Sequence, residues 1–207
     1  MTTQNKKAYY LNETNQFVVE NYHIQRAFAN FFPGIAGKNG MPMWVFYVNR
    51  GQGICSFGTQ SKDCAILEFY PANKAWELVS LYGFRTFLKI KSGKKEIHYE
   101  PFNNTYNLPN TQLQTQMVIS AHELTIQEIN LSLNLKTVIT YFTVPQASYP
   151  ALTRTVTFEN LSKNPLSIEL IDGLPHINPY GTNNYFLKEM SRTIEAWMVV
   201  ENIENKA

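Results

Sequence analysis

Asn49, Arg50 and Gln52 are set around Gly51 and Gly53 in the run MPMWVFYVNRGQGICSFG, between two apolar stretches. Two amides and a guanidinium at this spacing can hydrogen-bond a neutral polar ligand or receive an anion. An apolar–turn–apolar pattern puts such groups at the rim of a β-sheet. Arg85, just after Gly83 and Phe84, is a second cation able to meet an anion. GQG is too short to cradle phosphate, and neither a Lys-Ser/Thr pair nor a helix follows it, so the run is not a P-loop. The simpler role for Arg50 is a side chain that stabilises its own turn, with a sugar or interface contact as the alternative.

General acid–base chemistry needs a carboxyl or imidazole with its partner in place. The carboxylates to weigh are Glu68, Glu77, Glu100, Asp172 and Glu195. Asp172 stands before Gly173 and the loop LPHINPYG, which also holds His176 and Tyr180; the simpler role for it is a turn aspartate receiving backbone N–H groups. His98 and Glu100 lie two apart and share a strand face, and His122-Glu123 falls in a turn. None of these makes a convincing catalytic constellation. Trp44 and Trp197 lie in apolar runs and read as core, whereas Trp76 in NKAWELVS reads as exposed and able to stack on a sugar ring. Cys55 and Cys64, which could face each other across a hairpin, read as small buried thiols rather than a disulfide or a zinc site.

Charged residues make up only 16% of the 207, against 44% hydrophobic and 14% aromatic. Low charge with abundant Asn, Tyr and Phe suits a neutral ligand such as a carbohydrate, although aromatics favour strands in any β-protein. A net charge of +2 gives no footprint for nucleic acid. Lys89, Lys91, Lys94 and Lys95 around Ser92-Gly93 read as a solvated hairpin tip. No signal-like apolar segment opens the chain and none is long enough to span a membrane, which leads to an expected cytoplasmic location.

Alternation with turn signals predicts one all-β antiparallel sandwich with at most one or two short helices. Strands are expected at Phe17–Ile24, Trp44–Val48, Ile54–Phe57, Ala65–Tyr70, Phe84–Ile90, Glu96–Glu100, Gln114–Ser120, Leu124–Ile129 and Leu133–Val144. Arg154–Glu159 and Leu166–Ile171 are expected to pair as a hairpin across Asn160–Pro165, and Ala196–Glu201 to form a last strand with an unpaired edge or apolar patch beside it. Ala27–Pro42 reads as loop, Pro71–Ser80 as weakly helical and Tyr185–Arg192 as a short helix.

Three segments in order carry a family resemblance: PGIAGKNGMPMWVFYVNRGQGICSFG with EFYPANKAWELVSLYGFRTF, then ALTRTVTFENLSKNPLSIELIDGLPHINPYG, then YFLKEMSRTIEAWMVVEN. Together they span about residues 15–203, with NRGQG, SFG, DGLP and PYG the most specific parts. The chain resembles the N-terminal domain of cellobiose phosphorylase-like inverting glycoside phosphorylases, of glycoside hydrolase family 94 and the related β-glucan phosphorylases. The resemblance implies a galactose mutarotase-like supersandwich beside an (α/α)6 barrel that holds the general acid and the phosphate site. Residues 1–207 are then a non-catalytic domain supporting the barrel, dimer contacts and the oligosaccharide entrance. No cofactor is implied, inorganic phosphate being a co-substrate of the full enzyme. Candidate substrate contacts are Asn49, Arg50, Gln52, Arg85, Trp76, His176 and Tyr180. The alternatives are a free-standing carbohydrate-binding module and a mutarotase-like aldose epimerase.

Overall fold

The computed structural model describes residues 8–32, 41–93, 95–103, 112–144, 147–179 and 181–190, with 193 and 196. The clearest alternation, LTIQEIN followed by LKTVITYFT, lies at the centre of a six-stranded antiparallel sheet. In spatial order this sheet is β1 (Tyr9–Leu11), β2 (Phe17–Glu20), β9 (Leu113–Ile119), β10 (Glu123–Asn130), β11 (Leu135–Thr143) and β12 (Leu152–Asn160). One face of β10 and β11, with Leu124, Ile126, Ile139 and Tyr141, is buried.

Two smaller antiparallel sheets pack on that face. The first orders β3 (Ala29–Phe32), β4 (Met43–Val48), β5 (Ile54–Thr59) and β6 (Ala65–Leu67). Its Val45, Tyr47, Ile54, Phe57 and Leu67 meet Val19, Met117 and Ile126 of the large sheet in the main core. The second orders β13 (Ser167–Gly173), β7 (Arg85–Ser92) and β8 (Lys95–Tyr99), and its Leu88 and Ile90 pack with Leu135 and Phe158. The protein is therefore an all-β antiparallel sandwich. The helices with described bounds are α1 (Ala72–Tyr82) and the short α2 (Asn184–Glu189).

Helix α1 lies on the outer side of the four-stranded sheet, with Ala75 and Val79 against Phe46, Val48 and Cys55. It ends at Gly83, where a Cβ would stand 2.5 Å from the Val79 carbonyl oxygen and 2.8 Å from that of Ile54. Only glycine lets the helix end lie this close to β5.

Several expectations are corrected. The strand at Phe17–Ile24 stops at Glu20, because Asn21 turns left-handed (φ 47°) and Tyr22–Ile24 form a 3-10 turn. The supposed loop Ala27–Pro42 contains β3, paired with β4 from Ala29↔Val48 to Phe32↔Val45. The hairpin of Arg154–Glu159 with Leu166–Ile171 does not form: β12 pairs with β11, and β13 pairs with β7. The Asn160 Oδ1 accepts from the Ser162 backbone N–H and hydroxyl, which folds the chain over at once. That turn carries Ile168 across to Leu88 and Ile90 and closes the second apolar cluster. Of the expected strand Ala196–Glu201, only Ala196 is described, and it is helical.

Candidate functional site

The NRGQG turn depends on two glycines with positive φ, 50° at Gly51 and 85° at Gly53, where a side chain would be strained. Its polar groups are aimed inward. Asn49 is fully buried: its amide N–H2 donates to the carbonyls of Tyr22 and Arg26 at 3.1 and 3.0 Å, and its Oδ1 accepts from the Phe28 N–H at 2.9 Å. Arg50 donates to the carbonyls of Asn49 and Gln25 at 2.7 and 3.1 Å, and its guanidinium stacks 4.3 Å from the centre of Trp76. Asn49 and Arg50 thus fasten the loop after β2 to the rim of β4. Trp76, expected to be exposed, is half-buried beneath that guanidinium.

Gln52 joins a second network that ties all three sheets. Its Nε2 donates to the Thr86 hydroxyl at 3.0 Å, and its Oε1 accepts from Arg154 at 2.7 Å. Thr86 in turn donates to Asp172 at 2.5 Å, while Arg154 grips both Asp172 oxygens at 2.5 and 2.9 Å. The Tyr141 hydroxyl donates to the Gln52 carbonyl, and Arg154 lies over Phe84. Asp172 is thus a strand residue in an ion pair, not a turn aspartate. Burial opposes its ionisation, but Arg154 and Thr86 outweigh this and hold the carboxyl below its usual value. A carboxylate ionised at neutral pH cannot serve there as a general acid.

Arg85 forms a two-pronged bond to Glu100 at 2.7 and 2.9 Å, and Asn103 donates to the same carboxylate. The space bounded by Gln52, Arg85 and Glu100 is only about 10 Å³, room for one water at most. Of the expected contacts, Asn49, Arg50 and Trp76 are brought together, Gln52 and Arg85 each lie in a separate network, and His176 stands apart against Tyr82 and Asn178. Tyr180 lies outside the described residues.

His98 and Glu100 both line a shallow groove of about 440 Å³ on the outer face of the three-stranded sheet, beside Phe87, Lys89 and Glu169. They do not act as a pair: His98 is 76% exposed and faces Glu96, and Glu100 is held by Arg85. Lys89 and Lys91 lie on the solvated hairpin of β7 with β8, as expected, and from there also reach Glu169. The cysteines are free thiols; Cys55 donates to the Phe46 carbonyl, and burial pushes its pKa up to about 12.

Two charged residues escaped the sequence reading. Arg154 shares a strand face with Leu152, Val156 and Phe158, so a lone cation on an apolar face was the available signal. Glu128 follows Leu124 and Ile126 on the buried face of β10. It accepts from the Tyr99 hydroxyl and from the Phe102 N–H at 2.8 Å, and burial raises its pKa to about 7 despite both bonds. That value would suit a general acid, but the carboxyl is sealed in the core at 3% exposure.

No known family model matches the chain, and no curated protein matches it. Among the described residues no group of three or more His, Cys, Asp or Glu gathers as a metal site, and no helix is long and apolar enough to cross a membrane.

Proposed function

We propose that this chain is a non-catalytic accessory domain of a glycoside phosphorylase-like enzyme, holding an (α/α)6 catalytic barrel and contributing to dimer contacts and the oligosaccharide entrance. The observation that carries this reading is an uncovered apolar strip on the outer face of the three-stranded sheet. Phe87 and Ile171, at paired positions of β7 and β13, are 41 and 75% exposed and line a groove of about 440 Å³ together with Leu170. Exposed apolar side chains set side by side mark a surface that meets another protein. Further support comes from the spent polar groups: the best-placed carboxylates, Asp172 and Glu100, are each locked to an arginine. The segments PGIAGKNGMPMWVFYVNRGQGICSFG and IDGLPHINPYG supply the link to phosphorylases.

Two measurements test it. The chain alone should release no phosphate from α-glucose 1-phosphate with a β-glucoside acceptor; turnover would overturn the non-catalytic role. Mixed with a glycoside phosphorylase barrel lacking its own N-terminal domain, it should form a complex by size exclusion that the double variant Leu170→Asp, Ile171→Asp fails to form. A complex equally strong with both variants present would remove β13 as the docking face.

A further inference from the structure

The outer face of the four-stranded sheet is only half covered. Helix α1, about 16 Å long at 1.5 Å per residue, covers Val48 and Cys55 near the NRGQG turn. Beyond it the same face presents Phe31 and Trp44, 49 and 45% exposed. Trp44 sits on β4, both of whose faces are apolar, so alternation alone placed it in the core; it is in fact on the outside.

These rings are fixed in place. The Trp44 indole N–H donates to the Gln60 carbonyl at 2.9 Å. Phe31 stands edge-on to Trp44 at 6.0 Å, rests on Phe46 at 4.8 Å and stacks with Phe69 at 6.5 Å. Phe31, Trp44 and Phe69 floor an open groove of about 340 Å³ whose rim is Gln60, Ser61 and Lys62. Among the described residues no carboxylate lines it, and Lys62 makes no ion pair with any of them.

We infer that this platform is a carbohydrate-binding site for a β-linked gluco-oligosaccharide. A β-linked pyranose turns a flat face of C–H bonds outward, which packs on the electron-rich face of an indole, while its equatorial hydroxyls point sideways to donors and acceptors such as those at this rim. The volume falls within the roughly 300–1,000 Å³ typical of small-ligand sites. A protein partner fits less well. At about 200 Å² per aromatic side chain, the two exposed rings offer roughly 200 Å², against the ~800 Å² each partner gives to a stable interface. Nucleic acid would need a basic stripe, and one lysine is not that. The choice of a β-glucan as ligand rests on the accessory-domain reading; the platform itself lies apart from β13.

The test is calorimetric titration of the full 207-residue chain with cellohexaose and laminarihexaose. At least one should bind saturably, and Trp44→Ala should weaken binding by about tenfold or more, as expected for an aromatic anchor. Trp44→Tyr should keep most of the affinity, Phe31→Ala should lose part of it, and Tyr149→Ala, an exposed ring between β11 and β12, should change nothing. Circular dichroism and Tm confirm that each variant is folded. Absence of binding to both sugars at millimolar concentration, or wild-type affinity in Trp44→Ala, overturns the proposal. Neither result touches the barrel-docking face, which the β13 variants probe separately.

Discussion

The pair β10–β11 and the pair β12–β13 are built from equally regular strands, yet they end in opposite environments. In β10 every second residue, from Leu124 to Asn130, is buried, and β11 buries Leu135, Thr137, Ile139 and Tyr141. No residue of β12 or β13 is fully buried, although β12 keeps nine paired positions with β11 and β13 seven with β7. Hydrogen-bond pairing and burial are thus separable: the first is satisfied by any neighbouring strand, the second needs a layer opposite. Where β10 and β11 lie within the core, β12 and β13 touch it only through half-buried side chains such as Val156, Phe158 and Ile168, and are joined to each other by the Arg154–Asp172 ion pair with Thr86 and Gln52.

The largest expected effect lies at that ion pair. Arg154→Ala strands Asp172 beside groups that no longer neutralise it, and should lower stability by about 3 kcal/mol in denaturant titration. Arg154→Lys should recover little, because a single ammonium cannot replace the planar fork that meets Asp172, Gln52 and Thr86 together. A cost below about 0.5 kcal/mol, the scale of an ordinary surface change, would mean that β12–β13 are held by something else.

Next comes pH, where the two regions should respond with opposite sign. The folded Glu128 carboxyl titrates near 7 against an ordinary 4.5, so its protonated form favours the folded state. That contribution is complete below the ordinary value and is lost as pH rises through about 7, a span worth on the order of 3 kcal/mol. Asp172 works the other way: its folded value lies below 3.8, and its contribution is lost as the solution is acidified through that lower value. Urea midpoints of wild type should therefore fall between pH 5 and pH 8, and Glu128→Gln should flatten that slope without altering the acid limb. An unchanged slope in Glu128→Gln would break the contrast.

The smallest effect is expected on the uncovered face. Ile171→Thr should shift stability by less than about 0.5 kcal/mol, since Ile171 is 75% exposed. A loss of several kcal/mol would show that β13 is covered after all.

Much of the fold was legible because it is local. The alternation of LTIQEIN and LKTVITYFT gave both strands and their buried face, and NRGQG announced its turn. What escaped depended on distant partners. Ala29–Phe32 looks like loop among Gly and Pro until β4 pairs with it, and Leu166–Ile171 gave no sign that it would cross to β7. The candidate site was legible as a set of residue types but not in its orientation. Asn49 and Gln52 were read as facing a ligand, and Arg50 as steadying its own turn or meeting a ligand; apart from the Arg50 bond to the adjacent Asn49 carbonyl, their partners are backbone groups and side chains 21 to 102 residues away. Glu128 needed Tyr99 and the Phe102 amide before its burial made sense.

The crossing of β13 also bears on the order in which the molecule assembles. Strands β9 to β12 follow one another in sequence and pair as a meander, so that four of the six strands of the large sheet can zip up with their neighbours in sequence. The pairs β2 with β9 and β13 with β7 join segments some 80 to 100 residues apart, as Phe17↔Ile119 and Ile168↔Ile90 show. Closing such long loops is entropically slow. The meander is therefore the natural folding nucleus, with the N-terminal strands and β13 docking late.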